Sequence, residues 1–296
     1  SVPVAVYRGR IYLTHLPGKG AIHSIDLATP QQPVVHFAEP HSAVLGLVPA
    51  ADGLYLQMQE GMRQRLLHLV PGDRGPSTIP LPFEGQFDLV DGDARIDGVV
   101  LRDRRWTTRS RYWSVRNGVV SEVAIVPVPS DGIELTAEEV EVPSADGTRV
   151  PLSIVYPRGW DRAQPLPFVL TGYAAYGINM RPVFNDNLLP IYRDGIGYAV
   201  CHARGGGELG DEWHRAAMKV TKHLSWEDFI ACAQWLVARG YTRTDRLLAE
   251  GGSAGGMLVG RAMTERPDLF ACVHLAYGGL NPTRAESHAN GAPNVA

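Results

Sequence analysis

Five residues, Gly251-Gly252-Ser253-Ala254-Gly255, match the pattern G-x-S-x-G. A serine in this setting can attack a carbonyl carbon, provided it stands exposed on a sharp strand-to-helix turn. The short pattern recurs by chance, so its flanks decide its meaning. Arg246 to Glu250 reads as a strand and Ala254 to Glu265 as a helix stopped by Pro267. That order makes Ser253 the expected nucleophile of an elbow. Small residues at Gly251 and Gly255 let strand and helix approach closely. The Ala254 N–H opens the helix, where the dipole favours a developing negative charge. The plain alternative is a glycine-rich turn that only ends a strand.

A serine hydroxyl is a weak nucleophile and needs a base. In α/β-hydrolases the acid and the histidine follow the serine in sequence. His274 falls in an apolar strand and reads as a satisfied core histidine. His288 lies in a polar stretch and reads as a surface residue, and Asp268 belongs to the segment that stops the helix. None is a good base. A second glycine run, Gly205 to Gly207, is flanked by His202 and His214, which either shape the site or pack the loop. No Walker or G-x-G-x-x-G pattern follows it, so nucleotide binding is rejected. Glu208 could hold a substrate amine or a loop arginine, the ion pair being the simpler reading.

The elements that must carry these residues come in two styles. Residues 1–140 read as short strands: 4–7, 11–13, 21–27, 34–37, 43–48, 54–58, 66–70, 98–101, 112–115 and 119–123. Asp52-Gly53 signals a tight hairpin between two of them. Such a series means a sandwich, barrel or propeller. Residues 141–296 alternate strands with helices. Strands are expected at 140–142, 150–156, 168–170, 198–202 and 270–276, with a helix over 184–193 and another over 225–239. Ser225 and Asp228 resemble a capping box opening the latter, and Gly240 follows its end. Alternation of this kind predicts a parallel sheet with helices on both faces.

The composition is ordinary for a globular protein, with 45 % hydrophobic and 20 % charged residues. A net charge of −3 implies no broad basic field for nucleic acid. Arg102, Arg104, Arg105, Arg109 and Arg111 cluster locally and read as a solvated face. Cys201, Cys232 and Cys272 form no CxxC pair, so neither a metal site nor a disulfide framework is expected. No apolar run is long enough for a transmembrane helix, and the first residues lack the charged n-region and long h-region of a signal peptide. Compartment, cytoplasmic or periplasmic, and oligomeric state stay open.

Further motifs carry a resemblance. Ser144 to Pro151, Gly172-Tyr173-Ala174-Ala175-Tyr176-Gly177, Arg204 to Gly210 with Trp213-His214, Gly251 to Gly256, and Arg266 to Phe270 occur in order. Together they resemble the prolyl oligopeptidase family of serine peptidases, which includes oligopeptidase B. Ala174 stands where that family usually has glycine. Trp106 to Tyr112 resembles the family's last propeller strands. The resemblance implies that residues 1–140 are closing blades of a β-propeller, and that residues 141–296 begin an α/β-hydrolase domain. It also implies cleavage of short peptides without a cofactor, and Tyr173 as an oxyanion donor through its hydroxyl. Arg204, Glu208 and His214 are further site-shaping candidates. The acid and base would come later than this chain reaches, so the expectation is a chain truncated at both ends and inactive alone. The alternatives are an esterase-like hydrolase and a propeller interaction module with a dead hydrolase domain. Substrate preference, post-proline or basic, is left open.

Overall fold

A computed structural model describes residues 3–14, 20–39, 42–83, 85–125 and 132–280. The chain divides into two compact units. The first comprises Ser1–Gly132 with Arg181–Asp186 and Leu209–Glu212, and the second the remainder.

The first unit is built from antiparallel four-stranded sheets. Strands β1 (Val4–Tyr7), β2 (Arg10–Thr14), β3 (Gly20–Asp26) and β4 (Thr29–Glu39) form one meander. Strands β5 (Ala43–Ala50), β6 (Gly53–Glu60), β7 (Arg63–Leu69) and β8 (Ser77–Ile79) form the next. A third contains β9 (Gln86–Gly92), β10 (Val99–Arg104), β11 (Tyr112–Arg116) and β12 (Val119–Val123). Strands β8 and β9 escape the sequence reading, because neither is a clean apolar run. The Asp52-Gly53 turn does join β5 to β6. Trp106 lies in the connection between β10 and β11 rather than in a strand.

Strand β6 shows why these sheets stack. Side chains alternate across a strand, and both faces of β6 are buried. Leu54, Leu56 and Met58 join one core with Tyr7, Tyr12 and Ile22 of the first sheet. Tyr55, on the opposite face, joins Phe87, Leu101 and Val115 of the third sheet. Buried Gln57 ties β6 to β9: its amide donates to the Phe87 carbonyl at 2.5 Å, and its side-chain carbonyl accepts from the Leu89 N–H. This layered antiparallel arrangement is that of propeller blades.

The second unit centres on one six-stranded sheet in the order β13-β14-β16-β15-β17-β18. Its strands are β13 (Leu135–Pro143), β14 (Arg149–Pro157), β15 (Phe168–Thr171), β16 (Gly197–Cys201), β17 (Leu247–Gly252) and β18 (Cys272–Ala276). The sheet is mixed, not wholly parallel as the alternation alone predicts. A hairpin, β13-β14, pairs antiparallel with β16. Strands β16, β15, β17 and β18 are parallel. The helices are α1 (Leu189–Arg193), α2 (Asp211–Ala216), α3 (His223–Ala238) and α4 (Ala254–Glu265).

Two expectations are corrected here. The helix predicted over 184–193 shrinks to a 3₁₀ turn at Asp186–Leu188 and the short α1, with Pro190 in its first turn. Helix α3 begins at His223, so Ser225 and Asp228 lie inside it and do not cap it. Both are fully buried, and their polar atoms serve distant loops, as shown below. His274 sits on β18, the end strand of the described sheet, with Nδ1 3.4 Å from Glu250. Cys201 and Cys232, 31 residues apart, meet in the core with their sulfurs 2.7 Å from each other. Spacing along the chain had no means of showing that meeting.

Candidate active site

Three segments leave the C-terminal ends of neighbouring parallel strands β16, β15 and β17. Open α/β sheets bind ligands outside those ends. The segments are the glycine loop after β16, the tyrosine loop after β15 and the elbow after β17.

The elbow follows from its glycines. A Cβ on Gly251 would come 2.1 Å from the Gly255 carbonyl oxygen, and one on Gly255 would come 2.5 Å from the Gly172 carbonyl oxygen. No larger residue fits either position. Strand β17 runs through Gly252 and α4 starts at Ala254, so Ser253 alone makes the turn. It does so at φ 54°, ψ −120°, a conformation costly for any residue with a Cβ. The Ser253 N–H donates to the Ala276 carbonyl of β18 at 3.1 Å, and its carbonyl accepts from the Gly256 N–H at 3.0 Å. These bonds fix the strained backbone while the residue itself stays exposed. Ala254 is buried at the first position of α4, where helix N–H groups lack intrahelical acceptors. Among the described residues, no histidine hydrogen-bonds the Ser253 hydroxyl. His288 lies outside the described residues.

The tyrosine loop packs directly on this helix start: a Cβ on Gly255 would lie 3.6 Å from Tyr173 Cα. Tyr173 is half-buried, and its ring centroid is 6.4 Å from that of exposed Tyr176. Ala174 and Tyr176 both adopt left-handed backbone, at φ 55° and 58°. The family's glycine at the first of these positions is thus explained by conformation, and Ala174 carries the strain instead.

The glycine loop braces the tyrosine loop. The Gly177 N–H donates to the Gly205 carbonyl at 3.1 Å. His214 Nδ1 lies 2.7 Å from the same oxygen, which assigns the proton to Nδ1. A Cβ on Gly207 would strike the Gly177 carbonyl at 2.2 Å. Glu208, 3 % exposed, accepts the Met180 N–H at 2.9 Å and faces His202 Nδ1 at 3.5 Å. His202 Nε2 is in turn 2.8 Å from Ser153 Oγ. Glu208 pins the loops from inside.

Arg204 is also internal. Asp228 accepts from its backbone N–H at 3.0 Å, from Nε at 2.9 Å and from Nη2 at 2.6 Å. Asp228 further accepts from Ser144 Oγ at 2.6 Å, and Asp146 pairs with Arg204 Nη1 at 2.5 Å. The Asp228 carboxylate holds the guanidinium firmly protonated. Arg204 in turn holds Asp146 down to about 2. Ser225 Oγ completes the brace by donating to the Arg204 carbonyl at 2.6 Å. Sequence reasoning missed Asp228, Ser225 and Lys222 as site supports. The available signal was a pair of polar residues on the buried face of a helix, which reads equally well as a cap.

Comparison with known proteins agrees with this geometry. Residues 182–291 match the prolyl oligopeptidase family. The chain belongs to that family. An uncharacterized peptidase of Sinorhizobium fredii is 30 % identical over 86 % of this chain and 37 % of its own length. A solved prolyl endopeptidase superposes with a TM-score of 0.88 at 28 % identity, over 98 % of this chain and 44 % of that one. Oligopeptidase B from Trypanosoma brucei gives 0.78 at 27 % identity, over 93 % and 42 %. The chain thus spans less than half the length of these prolyl oligopeptidase relatives. The blades and the mixed sheet are the propeller and α/β-hydrolase parts of the family fold.

Proposed function

We propose that the complete protein is a serine peptidase that cleaves short peptides through an acyl-enzyme on Ser253. The observation that carries this reading is the strained Ser253 backbone between β17 and α4, with Ala254 heading the helix. Ser253 Oγ attacks the scissile carbonyl as its proton passes to a histidine base. The oxyanion forms against the Ala254 N–H and the Tyr173 hydroxyl. The base then protonates the departing amine, and water hydrolyses the ester by the reverse route. In hydrolases of this kind the base and its carboxylate follow the nucleophile in sequence, so we place both after the described residues. The propeller part would restrict entry to short peptides.

Labelling of the complete protein with a fluorophosphonate tests the nucleophile. The expected result is one modified peptide containing Ser253, with labelling and peptidase turnover both lost in Ser253→Ala. The loss in kcat should be about 10⁶-fold, as for other serine peptidases stripped of their nucleophile. Turnover surviving Ser253→Ala overturns the assignment. A peptide panel with proline or arginine before the cleaved bond then assigns specificity, since both kinds of enzyme occur among the relatives.

A further inference from the structure

Lys222 takes no part in the chemistry above, yet it is held in the seam between the two loops. It directly precedes α3. Its ammonium donates to the Ala174 carbonyl and, at 3.0 Å, to Ser225 Oγ. A Cβ on Gly205 would lie 3.1 Å from the same nitrogen. Among the described residues no carboxylate pairs with it. Withdrawing an ammonium from water without a counter-charge is costly, so the site keeps it against a penalty.

The partner it holds is informative. Ala174 is 3 % exposed and left-handed, and such strain persists only where the surroundings over-determine it. The Ala174 carbonyl needs a donor there, and Lys222 supplies it. Ala174 directly follows Tyr173, so fixing this carbonyl fixes the left-handed turn through which the chain leaves Tyr173. We propose that Lys222 is a positioning residue for the oxyanion site, acting through the Ala174 carbonyl to aim Tyr173. The proposal rests on the reading of Tyr173 as an oxyanion donor.

Titration supports the idea. Burial lowers the Lys222 ammonium to about 8. The ionisable groups on the elements around it are Tyr173 and Tyr176 on the tyrosine loop, Arg204 and Glu208 on the glycine loop, Asp211, Glu212, His214 and Arg215 on α2, Lys219 just before Lys222, and His223, Glu227 and Asp228 on α3. His214 is committed to the Gly205 carbonyl, and Arg204 and Asp228 neutralise one another. Deprotonation would leave two N–H donors for the two acceptors but remove the charge that strengthens both bonds, and so loosen the loop.

The test uses the complete enzyme with Tyr173→Phe, Lys222→Met, Lys222→Arg and the Tyr173→Phe/Lys222→Met double variant. Tyr173→Phe should lower kcat by about 10²–10³-fold. Lys222→Met should lower kcat by about 10²-fold, the scale of a small misplacement, with KM nearly unchanged. Lys222→Arg should recover part of the loss, and its activity should persist above pH 8, where the wild type declines. In the Tyr173→Phe background, Lys222→Met should add almost nothing. Equal losses in both backgrounds, or an unchanged kcat in Lys222→Met, overturn the proposal. An unchanged kcat in Tyr173→Phe instead removes the Tyr173 reading beneath it. Should Lys222→Met not fold, the Lys222→Arg pH profile decides: an alkaline limb identical to wild type refutes the role.

Discussion

The two units use the same residue types to different ends, and arginine shows this well. In the β unit Arg102 and Arg104 pair with Asp88, Arg105 with Asp103, Arg109 with Asp186, and Arg111 with Glu122. All these guanidiniums keep water contact, with between 21 % and 45 % of each side chain exposed. The basic cluster legible in the sequence is a set of ion pairs, most with partners on the same sheet and one, Arg109, with Asp186 far along the chain. In the hydrolase unit Arg204 is 5 % exposed, against an Asp228 with no exposure. Glycine does not divide by unit: a Cβ on Gly98 of the β unit would lie 1.8 Å from the Val115 carbonyl oxygen, while Gly147 of the hydrolase unit meets nothing within 4 Å. What distinguishes Gly255 and Gly207 is what they press against, the Gly172 and Gly177 carbonyls of the tyrosine loop. The β unit leaves its arginine pairs in contact with water, and the hydrolase unit buries Arg204 among its loops.

The largest test of the contrast is electrostatic. Asp228→Ala leaves a buried guanidinium without its main partner and should cost about 3–5 kcal/mol of stability. Glu122→Ala, which breaks the exposed Arg111 pair, should cost at most about 1 kcal/mol. Urea unfolding of the complete protein measures both. Similar losses in the two variants would erase the distinction between the units.

Next in size is packing. Gly255→Ala drives a methyl into the Gly172 carbonyl and should cost about 1–3 kcal/mol, with a fall in turnover as the elbow shifts. Gly9→Ala meets nothing within 4 Å but has φ 74°, so it should cost about 1 kcal/mol or less and leave turnover intact. Paired melting curves and kcat values sharpen or break this comparison.

The smallest effect is the response to acid. Arg204 depresses Asp146 to about 2. A carboxylate lowered in the folded state contributes stability above its unfolded value of about 3.9. That contribution is lost as the pH falls from about 4 towards 2, because the unfolded chain takes up the proton first. Asp146→Asn should therefore flatten the acid limb of stability in that window. Asp146 is 40 % exposed, so the effect should shrink with added salt. An unchanged acid limb would show that Arg204 relies on Asp228 alone.

Sequence by itself determined what depends on local pattern. Alternation marked most strands of the β unit, and the order strand, Gly-x-Ser-x-Gly, helix located the elbow, whose helix runs from Ala254 to Glu265 as expected. Both are short-range: a period of two residues, and a steric demand that only glycine meets. Tertiary structure decided what depends on partners far along the chain. Asp228 reads as a cap until Ser144, 84 residues away, and Arg204 are seen to converge on it. Lys222 belongs to no motif in the sequence, and only the fold brings it to the carbonyl of Ala174, 48 residues earlier. Periodicity reports which face of an element is buried. It does not report which atoms wait on the other side, because parallel strands bring together loops that sequence keeps apart.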